Sequence, residues 1–197
     1  MLIEATCVLS IIFFSMVLIK EKKLIYPIFF VLSFFAAAYI ESSGVANSNW
    51  SYSNVMMPFG YLVFGLPVAI LIIYGVAGSL IPFMTAYIKK KRNEKIDKKV
   101  AYISIIVGVI CLPLSLLGLH LYIAYSFLVF GVYLIVKEPS MFYVGAMGLV
   151  ADLFIEHIYI FTGQLTYTES YGDVGVAFFL VGSILSGLVI LFNKKRK

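Results

Sequence analysis

Three carboxylates, Glu41, Asp152 and Glu156, stand within long runs of apolar residues. A charged side chain in hydrocarbon is costly, so each of them needs a partner or a task. Asp152 and Glu156 are four residues apart and therefore share one helix face, which Gly148 extends by a further turn. Ser33, Ala37 and Glu41 form the corresponding face of an earlier helix. Small residues beneath an acid on both faces allow close helix approach and a cavity on which the three acids converge. A carboxyl in an apolar pocket beside a second carboxyl favours its neutral form, so it can protonate an unactivated substrate or carry a proton during transport. Tyr39, Trp50, Tyr52, Tyr159 and Tyr167 offer ring faces that would stabilise a cationic intermediate or a bound cation. Asp152, Glu156 and Glu41 are thus the candidate catalytic residues, and these five aromatics the candidate substrate-binding residues. The competing reading makes the acids internally hydrogen-bonded structural groups, with Glu41 in the headgroup region at a helix end and the aromatics in packing or an interfacial belt.

The elements that must position these residues follow from composition. With 62% apolar and 13% charged residues, the chain departs far from a soluble domain and reads as an all-α integral membrane protein. Seven spanning helices are predicted: Leu2–Ile19, Leu24–Glu41, Leu66–Ile88, Val100–Leu117, Leu119–Val136, Met141–Phe161 and Val174–Phe192. Each suits a hydrocarbon core of about 30 Å. The 15 Lys and Arg residues fall at Lys20–Lys23, Lys89–Lys99, Lys137 and Lys194–Lys197, which can all lie on one side. The positive-inside rule makes that side cytoplasmic, with the N-terminus outside and the C-terminus inside. The expected location is the plasma membrane, where the net charge of +5 serves orientation and contact with anionic headgroups rather than nucleic acid. The first helix has no basic residue ahead of it and reads as a retained span, with Glu4 interfacial. Pro67, after Gly65, breaks the run Val55–Ile88 and makes the part before it re-entrant or interfacial; Pro82 and Pro113 are kink positions.

The chain also resembles itself. Ile40-Glu41 followed by Trp50-Ser51-Tyr52 matches Ile155-Glu156 followed by Leu165-Thr166-Tyr167, with the same Glu-to-Tyr spacing. Lys20-Glu21 matches Lys137-Glu138, and Gly75 and Ser79 match Gly182 and Ser186. Helices one to three then pair with five to seven as parallel repeats, residues 1–88 and 119–192, around a linker helix at 100–117, in a single 3+1+3 domain spanning 1–197. Cys7 and Cys111 read as small packing residues, and His120 and His157 sit in different helices, so neither a metal nor another cofactor is expected. His157 points roughly 100° from Glu156 on an ideal helix and reads as interfacial. Self-association of the bundle stays open.

One constellation carries a family resemblance. An acid, a Gly, a Trp-x-Tyr and a Gly-x-Pro opening the next helix occur here as Glu41, Gly44, Trp50, Tyr52, Gly65 and Pro67. In the second half Asp152, Tyr167 and Tyr171-Gly172 fit the counterpart pattern. This resembles the integral membrane carotenoid-modifying proteins, the carotenoid hydratase type and, more distantly, the membrane lycopene cyclase domains. The resemblance implies protonation of a terminal alkene of a polyisoprenoid or carotenoid by Asp152 or Glu156, then attack of water, without a cofactor. The Pro-x-Glu-Glu of the cyclases is absent after Pro67. Two readings of other classes stand beside it: a small-solute transporter of 3+1+3 plan with proton-coupling acids, and a non-catalytic membrane subunit whose acids mediate helix pairing.

Overall fold

The computed structural model describes residues 2–46, 48, 50–92, 99, 102, 106, 139–167, 184–189 and 191. Their longer helices are α1 (Leu2–Glu21), α2 (Ile25–Ala46), α3 (Val68–Ser79), α4 (Ile81–Arg92) and α5 (Pro139–Phe161), and residues 184–189 are helical too. Four short strands accompany them: β1 (Trp50–Tyr52), β2 (Leu62–Val63), β3 (Leu66–Pro67) and β4 (Leu165–Tyr167). The purely helical expectation is therefore corrected to a mostly helical chain with two antiparallel ribbons, β1 with β4 and β2 with β3. Leu2–Glu21, Ile25–Ala46 and Val68–Ile88 are each long and apolar enough to cross a membrane. The chain is a multi-pass integral membrane protein. The expected helices Val100–Leu117 and Leu119–Val136, and most of Val174–Phe192, lie outside the described residues.

Two compact units are distinguished. One comprises Met1–Leu80 with Leu153–Tyr171, the other Ile81–Asp152 with Gly172–Lys197. In the first unit, α2 packs along α3 through small residues. A Cβ on Gly78 would collide with Ser33, and one on Gly75 would press within 2.8 Å of the Phe30 ring. Ala37, Ala38, Leu66 and Leu71 continue this contact as a buried core. Lipid tails are as apolar as a helix surface, so helices associate through close van der Waals contact, which small residues permit. Phe14, Phe30, Phe34, Phe35 and Phe64 run as a chain of ring contacts with centroids 5.0 to 6.4 Å apart. Leu9, Ile12 and Met16 of α1 are exposed, as lipid-facing residues should be.

Two boundaries differ from the sequence reading, each for a local reason. Helix α2 continues to Ala46, so Glu41 lies more than a turn inside it rather than at its end. The expected helix from Leu66 begins instead at Val68, with Pro67 as its N-cap at φ −58 and ψ 126. Phe64 and Gly65 turn the β2–β3 hairpin with φ 56 and 77, the paired positive values a two-residue hairpin turn requires. The helix is interrupted at Leu80, where Pro82 supplies no amide for the Gly78 carbonyl. In the second unit, the hydroxyls of Thr85 and Ser186 meet at 2.8 Å, both buried.

Candidate functional site

The β1–β4 ribbon joins residues more than a hundred positions apart. Its register pairs Trp50 with Tyr167, Ser51 with Thr166 and Tyr52 with Leu165. The two matching triplets thus run antiparallel about a local two-fold at Ser51 and Thr166. Outside the strands, Ser53 N donates to the Gln164 carbonyl at 3.1 Å and Ser53 Oγ to the Gly163 carbonyl at 3.0 Å, which fixes the ribbon ends. Trp50 and Tyr167 pack with ring centroids 5.6 Å apart.

Both strands hold a carboxyl. The Glu41 side chain is 0% exposed, and its Oε2 accepts hydrogen bonds from Trp50 Nε1 at 2.9 Å and Tyr52 OH at 2.7 Å. Gly44, one turn along α2, lies where any Cβ would strike the Trp50 indole, so its missing side chain is what seats the ring against the helix. Glu156 is 2% exposed and accepts from Tyr167 OH at 2.7 Å through Oε1. The pairs Glu41–Tyr52 and Glu156–Tyr167 have the same separation of 11 residues. The two carboxyls lie within electrostatic reach of each other. The Tyr74 hydroxyl adjoins Glu41 from α3. Even so, Glu41 Oε1 and Glu156 Oε2 are buried without a hydrogen-bond partner. Burial, and then the nearby Glu41 carboxyl, push the Tyr52 phenol well above its ordinary range, so it remains a donor at any physiological pH.

Other candidates are placed differently. Asp152 belongs to α5, but its side chain lies outside the described residues, as do Glu169 and Tyr171. Tyr39 is 49% exposed on the far face of α2. Tyr159 is buried, with its hydroxyl toward Thr6, Cys7 and Glu4 rather than toward the carboxyl pair. His157 is exposed.

Sequence reasoning missed a second polar cluster. Glu4 is held by the protein's own donors: its Oε1 accepts from Met56 N at 2.8 Å and its Oε2 from Gln164 Nε2 at 3.0 Å. The Gln164 Oε1 accepts from Leu2 N and Ile3 N at 3.1 and 3.0 Å, satisfying amides that the first helical turn leaves unbonded. This clasp ties the start of α1 to both the β1–β2 loop and the turn before β4. The one signal for it was a polar Gln164 between Thr162-Gly163 and a strand-like Leu-Thr-Tyr.

Among the described residues no group of three or more His, Cys, Asp or Glu side chains could hold a metal ion. The arrangement therefore offers a pair of buried carboxyls, aromatic donors and a lid-like ribbon.

No protein-family model matches the chain, and no curated protein matches it. Among solved structures, the mycobacterial Insig homologue MvINS from Mycobacterium vanbaalenii has the same fold, with a TM-score of 0.66 at 14% identity. The match covers 88% of this chain and 98% of that one. A cross-linked trimer of MvINS matches with the same figures. These structures overturn the carotenoid-family resemblance: the fold is that of an Insig homologue, not a hydratase or cyclase. The constellation from Glu41 to Pro67 has local causes instead, since Gly44 seats Trp50, Gly65 turns a hairpin and Pro67 caps α3.

Proposed function

We propose that this chain is a non-catalytic membrane protein, a subunit or partner that acts by binding within the bilayer rather than by turning over a substrate. The observation that carries this reading is the burial of Glu41 and Glu156, 0% and 2% exposed, with one oxygen of each already engaged by the protein's own Trp50, Tyr52 and Tyr167. A general acid must reach a substrate atom, whereas these carboxyls hold the ribbon to the helices. The likeness of fold to an Insig homologue supports the same reading at the level of architecture.

The finer plan we propose is seven helices in two parallel triplets about a linker at 100–117, with the N-terminus outside and the C-terminus in the cytoplasm of the plasma membrane. The local two-fold at Ser51 and Thr166 supports it, because it relates the two Glu-to-Tyr segments as a repeat axis along the membrane normal would. Self-association is part of the proposal, since an MvINS structure is a cross-linked trimer and α1 offers an exposed apolar face.

The test expresses the full chain in a polyisoprenoid-producing host, beside Glu41→Gln and Glu156→Gln variants of equal abundance. Lipid extracts are analysed by mass spectrometry and membranes by chemical cross-linking. Unchanged lipids with a discrete cross-linked complex are expected. A mass change in any lipid that both variants abolish would overturn the reading.

A further inference from the structure

The carboxyl pair leaves two buried oxygens unanswered. Glu41 Oε1 and Glu156 Oε2 have no donor, although buried polar atoms in folded proteins nearly always find one. The donors at the site among the described residues are neutral: Trp50 and Tyr52 from β1, Tyr74 from α3 and Tyr167 from β4. From Ser42 to Ile88 the chain contains no Lys, Arg, His, Asp or Glu. Within α2 there is no basic residue, and α5 carries only His157, which is exposed. Among the described residues, two carboxylates would thus place a double negative charge, without a countercharge, beneath the ribbon. Protonation removes one of the two like charges and gives that carboxyl an O–H donor of its own.

We propose that Glu41 and Glu156 hold a single proton between them, which makes the ribbon-capped pair a pH-sensitive element. The proton enters from and leaves to bulk water, and its loss sets two like charges against each other below β1 and β4. The site then behaves as one titrating unit rather than as two independent acids. Trp50, the chain's single tryptophan, donates to one member and packs on the Tyr167 ring that donates to the other, so its fluorescence reports on the pair. The proposal does not depend on what the protein binds.

The experiment uses full-length protein in phosphatidylcholine nanodiscs, following the infrared carbonyl band of protonated carboxyl groups and the Trp50 emission through a pH titration. At neutral pH a carboxyl band that shifts in D2O is expected in the wild type, absent from both Glu41→Gln and Glu156→Gln and retained in Glu4→Gln. In the wild type alone, loss of that band on raising the pH should coincide with a step in Trp50 emission, a readout that needs no variant to fold. Absence of the band at neutral pH, its loss in only one of the two variants, its survival in both, or its response to sodium or potassium instead of pH would each overturn the proposal.

Discussion

The two polar centres at this end of the chain treat a buried glutamate in opposite ways. Glu4 has both oxygens met by N–H donors, Met56 N and Gln164 Nε2, and Gln164 in turn accepts from the first amides of α1. Glu41 and Glu156 each have one oxygen met and one left over. A carboxylate with a donor on each oxygen is a structural clasp, tolerant of its charge because both oxygens are hydrogen-bonded. An unsaturated pair is poised, and its surplus capacity invites a proton.

This contrast can be broken most forcefully at Glu41. Glu41→Ala leaves Trp50 Nε1 and Tyr52 OH without an acceptor and opens a gap beside Gly44, so thermal unfolding in detergent should show a loss of about 3 kcal/mol. Next in size is Glu4→Gln. Its new amide NH2 faces the Gln164 NH2, and flipping Gln164 only moves the clash to Leu2 N and Ile3 N, so a loss of about 2 kcal/mol is expected. Tyr167→Phe removes one hydrogen bond and no packing, lowering stability by about 1 kcal/mol. Glu41→Gln should be the mildest, within about 0.5 kcal/mol of wild type, because its carbonyl can keep Trp50 and Tyr52 and the neutral amide adds no buried charge. A large loss from Glu41→Gln, or none from Glu4→Gln, would erase the distinction between the two centres.

A smaller effect concerns Tyr52. Its phenol lies well above the ordinary value of 10.0, so its protonated form is the one the folded state retains. The stabilisation is fully present below pH 10 and fades as the pH rises beyond it, towards the folded-state value. Alkaline unfolding curves should therefore steepen above that pH in wild type and less in Tyr52→Phe.

Part of this was legible in the sequence. Helical spans could be read because apolar runs of bilayer length have few other uses. The two Glu-to-Tyr segments could be matched in the sequence, and their chemistry read as acids flanked by aromatics. Strands of three residues are too short to produce an alternating pattern, so nothing in Trp50-Ser51-Tyr52 announced a partner in Leu165-Thr166-Tyr167. The hydrogen bond from Gln164 to Glu4 could not be read because the two residues are 160 positions apart, and no local pattern encodes such a contact. The family reading went astray because Gly44, Gly65 and Pro67 answer local geometric needs, which unrelated membrane proteins can share.

The most direct test of the account is a disulfide across the ribbon. Ser51 and Thr166 are exposed Cα partners, so the double variant Ser51→Cys with Thr166→Cys should form an intramolecular disulfide under mild oxidation. Non-reducing electrophoresis with thiol counting reads the outcome, and unchanged Trp50 emission should show that the carboxyl pair beneath is undisturbed. Folded protein that retains the two introduced thiols, beyond those of Cys7 and Cys111, after oxidation would contradict the ribbon and, with it, the placement of Glu41 and Glu156 in one centre.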